Sequence, residues 1–127
     1  MAATCDIETA KIARTQMLVF LNWDTVGETD NPQSIDVNGI LGGADAALIK
    51  VITIPLVVTT GYDLELFDAL GNSVFDLTGL SDSASAEHRI EAALARLVTI
   101  GGSGYRIELS DHGGADKQGQ LVLWLSY

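Results

Sequence analysis

Residues 61–80 read GYDLELFDALGNSVFDLTGL, and their pattern decides the fold. Tyr62, Leu64 and Leu66 take one side of an extended segment while Asp63, Glu65 and Phe67 take the other. That is the period of two of a half-buried strand. The run Asp68-Ala69-Leu70-Gly71-Asn72 then supplies a turn, with Gly71-Asn72 able to adopt positive φ. Residues 73–77 return as the partner strand, so an antiparallel hairpin is expected over 62–77.

Working outward, residues 48–58 (LIKVITIPLVV) are dense in β-branched side chains, with Pro55 interrupting them. Proline cannot donate to a ladder, so this strand should lie at an edge there, or break or bulge. Residues 15–23 form an apolar run short enough to be a buried strand, and residues 34–40 alternate as a second. Between them, residues 24–34 (DTVGETDNPQS) read as a surface loop. Downstream, Tyr105, Ile107 and Leu109 alternate with Arg106, Glu108 and Ser110. A Gly-rich loop follows over 111–119, then a terminal strand over 120–127. Residues 86–98 stay open between helix and strand. Ile90, Ala93, Leu94, Leu97 and Val98 fit one helical face, which predicts one short helix near 86–98. Short strands separated by Gly-rich turns indicate a mainly β chain, a small antiparallel β-sandwich or barrel. Residues 13–127 make a single β domain, and residues 1–12, weakly patterned, are an N-terminal arm or short helix that the domain does not need in order to fold.

Seventeen acidic residues against seven basic ones give a net charge of −10, and the bases never form a run. A phosphate backbone needs a positive stripe, so neither nucleic acid nor an anionic membrane is an expected partner. No apolar run approaches the roughly 20 residues needed to cross a bilayer. The N-terminus lacks a basic start before an apolar stretch, so cytoplasmic synthesis is expected. Cys5 is the one cysteine of the sequence, which excludes an internal disulfide, and it reads as a free thiol on a mobile segment.

No group of residues has the spacing of a catalytic, cofactor-binding or metal site. His88 and His112 read as solvated. Ser103, between Gly102 and Gly104, resembles a flexible turn more than a nucleophile elbow. Asp63, Glu65 and Asp68, and likewise Glu28, Asp30 and Asp36, lie close in sequence but lack the frame of a calcium loop. They read as solvated faces. Trp23 and Trp124 read as core residues, and Tyr127 as a contact residue. The expectation is a protein that binds other protein surfaces, not an enzyme, with no cofactor.

The stretch 61–80, the strand 105–110, and the ending Gly119-Gln120-Leu121-Val122-Leu123-Trp124 together resemble a pattern in small structural proteins of tailed bacteriophages. The Gly turn and strand of residues 40–55 are similar too. The resemblance covers residues 34–127, leaves 1–33 unmatched, and departs from the pattern over 84–100. It implies a virion component, a head decoration (cement) protein that binds the assembled head through the major capsid protein and is a homo-oligomer. The alternative it leaves open is a tail, baseplate or fibre module contacting other virion proteins or host carbohydrate. It brings no catalytic residues.

The charge balance yields a direct test. Duplex DNA added at moderate salt should give no change in anisotropy, since no counterions are released. Salt-sensitive binding would show that a basic surface exists after all.

Overall fold

The computed structural model describes residues 3–27, 32–37, 46–89, 99–100, 104–111 and 113–127. These residues form ten strands: β1 (Thr4–Ala13), β2 (Gln16–Asp24), β3 (Gln33–Val37), β4 (Ala46–Val57), β5 (Tyr62–Phe67), β6 (Ser73–Leu80), β7 (Ala86–Arg89), β8 (Thr99–Ile100), β9 (Tyr105–Ser110) and β10 (Gln118–Ser126). They pair antiparallel in two sheets. The larger runs β1-β2-β10-β4-β7, with β8 also on β4, and the smaller runs β3-β9-β5-β6. The fold is therefore a small β-sandwich.

Alternation builds the interior. The larger sheet contributes Val19, Leu21, Trp23, Leu48, Val51, Leu121, Leu123 and Leu125, all buried. From the smaller sheet come Ile35, Val37, Tyr62, Leu64, Leu66, Phe75, Ile107 and Leu109. Each such side chain contributes about 1.5–3 kcal/mol on leaving water. The expected hairpin is present, with Tyr62, Leu64 and Leu66 buried on one face. Its loop is tied by Asp68, whose carboxylate Oδ1 accepts from the Leu70 and Asn72 amides at 2.9 Å each. Gly71 sits at φ 84°, where a side chain would be strained.

Pro55 also behaves as its chemistry demands. It pairs with Gly119 where the register slips, so that Leu56 is left over as a bulge. On its other side β7 has already ended, at Ala86 opposite Thr53. Opposite Trp23, Gly119 has its own reason to lack a side chain. A methyl there would run into the indole ring, which is wedged between this backbone and Tyr62, its ring centroid 5.9 Å away.

Two expectations are corrected. The described part of residues 1–12 is neither an arm nor a helix: residues 4–13 form β1 and pair with β2 along nearly its whole length, while residues 1–2 lie outside the described residues. Cys5 and Ile7 pack against the core while Asp6 and Glu8 face water. The small Thr9 and Ala10 dilute this alternation in the sequence, but pairing with a buried strand makes up for the weak side-chain pattern. Cys5 is thus not on a mobile segment. Burial, with a smaller push from neighbouring Asp6, raises its thiol to about 12. It is protonated at neutral pH and a poor nucleophile. In the stretch expected to be helical, residues 86–89 are strand β7, held by the ladder to β4. Residues 90–98, which carry the helical spacing, lie outside the described residues.

Removing residues 1–12 strips β2 of its outer neighbour and uncovers the interior at Ile7. The melting temperature of the truncated chain should fall by many degrees, or the cooperative transition should vanish. Melting within a degree or two of the full chain would show that β1 is dispensable.

Candidate functional site

In a two-layer antiparallel sandwich the outer faces meet water and are expected to be polar. The larger sheet breaks this rule. The strand register brings Phe20, Val122 and Ile52 into one row across its outer face, and Leu18, Trp124 and Lys50 into the next. Val122 is only 3% exposed, yet it stands outside the core between the sheets. The Lys50 ammonium lies 4.1 Å from the centroid of the Trp124 ring, and the indole N–H donates to Gln16 Oε1 at 3.3 Å. Trp124 is therefore not a core residue. It is a half-buried aromatic on the outer face, an error of parity within the continuous apolar run Leu121–Leu125.

Polar groups frame this centre. At one end of the strands the Gln120 amide donates to Asn22 Oδ1 at 2.8 Å, and the Gln118 amide to Asp24 Oδ2 at 3.0 Å. On one flank β1 presents exposed Asp6 and Glu8. On the other, Glu87 of β7 is held by Lys50 at 3.4 Å and by Arg89 at 3.2 Å. Tyr127, 47% exposed, follows the last strand with its amide donating to the Thr15 carbonyl at 2.8 Å.

The smaller sheet carries the opposite chemistry on its outer face. Glu65 of β5 stands directly across from Asp76 of β6 and Glu108 of β9. With Asp63, Thr78 and Ser110 these carboxylates line an open depression of about 180 Å³. Asp63 Oδ1 accepts from the Gly79 amide at 2.8 Å, and Glu108 pairs with Arg106 at 2.9 Å. Arg106 also stacks 4.2 Å from the Phe67 ring. Of the sequence trio Asp63, Glu65 and Asp68, the first two thus share a surface. Asp68 is committed to the hairpin loop, and the neighbours that join Glu65 come from other strands. Among the described residues no group of His, Cys, Asp and Glu is arranged to hold a metal ion. Asp36 is exposed on β3, opposite Arg106, while Glu28 and Asp30 lie outside the described residues.

The remaining candidates disperse. His88 is not fully solvated: it faces inward from β7, with Nε2 3.4 Å from the Thr53 hydroxyl. His112 and Ser103 lie outside the described residues. Burial raises the Tyr62 phenol above its ordinary value, eased by Thr53 nearby. No hydrogen bond of good geometry reaches its hydroxyl, however, nor the Trp23 indole N–H. These two atoms are buried inside the aromatic pair of the core, away from both outer faces.

No family model matches the chain, and no curated protein matches it. Solved structures similar to it include a cupin domain from Bordetella pertussis, at 9% identity and TM-score 0.40, covering 100% of this chain and 98% of that one. Another is the lectin binding domain of Lectinolysin complexed with Lewis b, at 10% identity and TM-score 0.33, covering 97% and 92%. A third is infectious bursal disease virus Gt strain, at 14% identity and TM-score 0.30, covering 96% and 33%. At such TM-scores these likenesses carry no argument about what this chain does.

Like charges directly opposite one another on a sheet are destabilising. Replacing Glu65 with Gln should therefore raise stability by about 0.2–1 kcal/mol at low ionic strength, with the gain shrinking as salt screens the cluster. Denaturant melts of the two proteins at two salt concentrations check this. A loss of stability in E65Q would mean that the carboxylate makes a favourable contact instead.

Proposed function

We propose that the chain is a structural, non-enzymatic component of a tailed-phage virion, and within it a head decoration protein that binds and stabilises the assembled head. One observation carries the binding role: the apolar outer face of the larger sheet, centred on Val122 and Trp124. Leu18, Phe20, Ile52 and Trp124 there match the enrichment of aromatic and depletion of charged residues at interface centres, with the charges kept to the rim. The virion assignment rests on the resemblance of residues 61–80, 105–110 and 119–124. The acidic surface suits an exterior position, since it neither binds packaged nucleic acid nor promotes non-specific association.

The polar depression on the smaller sheet, flanked by Phe67 under Arg106, favours a second reading. Its clustered carboxylates and hydroxyls are groups that hydrogen-bond sugar hydroxyls, as a tail or fibre module would need. Glycan binding that is lost in E108Q would move the assignment to the tail.

The test uses heads of the encoding phage that lack this protein, to which the purified chain is added back. Electron microscopy should show regular density on the shell, and W124A, still folded by circular dichroism, should bind at least tenfold more weakly, about 1.4 kcal/mol. Heads that stay bare, or binding indifferent to W124A, would refute the proposal.

A further inference from the structure

We infer that the interior of the sandwich holds one ordered water molecule, bound by the Trp23 indole N–H and by the Tyr62 and Thr53 hydroxyls, which ties the two sheets together. Two buried side chains that the rest of the fold leaves without hydrogen bonds lead to it.

Trp23 and Tyr62 are each 1% exposed, and each carries a buried polar atom that no protein group reaches with a well-formed hydrogen bond. Native folds seldom leave such atoms orphaned, because each gave up its hydration without a replacement. The common remedy is an internal water, on the order of one per 27 residues, placed where two to four polar groups converge.

The register supplies that convergence. Near the end of β2, the Trp23 ring lies over Gly119, with Nε1 2.9 Å from where a Cβ of that glycine would stand. Gly119 pairs with Pro55, and two residues further along the same ladder Leu121 pairs with Thr53. The indole N–H and the Thr53 hydroxyl thus belong to adjacent inward rows of the larger sheet. Tyr62 meets them from the smaller sheet, its ring centroid 5.9 Å from that of Trp23. Its hydroxyl comes close enough to Thr53 for that group to ease the raised pKa of the phenol, though without good hydrogen-bond geometry. Gln33 Oε1 is buried and orphaned as well, but β9 separates its strand from β5, so it stands apart from this group.

Donors and acceptors choose the occupant. An indole N–H only donates, so the bound atom has to accept, which neither a metal cation nor an ammonium does. An anion accepts from all three groups, but among the described residues no Lys or Arg is buried to offset its charge. Burying an unpaired charge costs far more than burying a neutral molecule. Water accepts from the indole and keeps two protons and a second lone pair for the hydroxyls. Thr53 stays available to it. His88 Nε2 lies 3.4 Å from Thr53 Oγ1, and in either tautomer the threonine retains a proton or a lone pair for the water. The water therefore joins β2 and β4 of one layer to β5 of the other, three strands that no backbone ladder connects directly.

The effect of deleting one partner has a sign. Removing a hydroxyl satisfied through water weakens the fold, whereas removing one buried without a partner strengthens it. Y62F keeps the ring and its packing, so in denaturant melts its unfolding equilibrium constant should exceed that of the wild-type chain by roughly threefold to tenfold. A high-resolution crystal structure of the wild-type chain should show a single water within about 3.2 Å of Trp23 Nε1, Tyr62 Oη and Thr53 Oγ1. A dry site, density that refines as chloride, or a Y62F chain more stable than the wild type would overturn the inference. None of these outcomes involves the outer face of the larger sheet, so the decoration role is tested separately.

Discussion

Everything in the larger sheet depends on β10 lying between β2 and β4. Its ladder to β2 joins Leu121 to Leu21 and its ladder to β4 joins Leu123 to Val51, contacts that close loops of many tens of residues. No pair of neighbouring strands in the sequence could make this sheet alone: β1 and β2 form a hairpin, but without β10 that hairpin has no route to β4. The ends of β10 are pinned as well. At its start the Thr25 amide donates to the Lys117 carbonyl at 2.9 Å, and the Thr25 hydroxyl accepts from the Lys117 amide at 2.9 Å. Folding should be governed by these long-range pairings and be slow for a chain of this size.

Because β10 is central, both of its faces are consequential. Leu121, Leu123 and Leu125 point into the sandwich; Val122 and Trp124 point out of it. The molecule therefore has one dry interior, one apolar exterior face and one acidic exterior face, placed on opposite sides of two layers. Such a division lets the apolar face be occupied while the acidic face still meets solvent or another component. The acidic cluster weakens its own sheet, and the smaller sheet tolerates it because Tyr62, Leu64, Leu66, Ile107 and Leu109 are fully buried beneath.

The sequence made the hairpin plain, since Tyr62, Leu64 and Leu66 alternate cleanly and Asp68 and Gly71 give the turn a chemical reason. Pro55 was equally legible, because a missing N–H has few places to go in a ladder. β1 was not: its only large inward side chain is Ile7, and a strand whose stability comes from pairing with β2 leaves little trace in side-chain periodicity. The apolar face was hidden by the run QLVLWLS, in which every position looks buried and parity cannot be read without the register. For the acidic face, only Asp63 and Glu65 are near in sequence; Asp76 and Glu108 reach them through pairings that no local pattern encodes.

The two tryptophans differ in one respect that has an optical consequence. Trp23 is sealed in the interior against Gly119 and Tyr62, whereas Trp124 is half exposed beneath a lysine ammonium. Their emission should separate, a short-wavelength component from the first and a longer-wavelength, quencher-accessible one from the second. Fluorescence of the unlabelled protein thus has two channels, one sensitive to loss of the packed interior and the other to whatever comes to rest on the outer surface. Association and unfolding can be followed in a single sample without confusing one with the other.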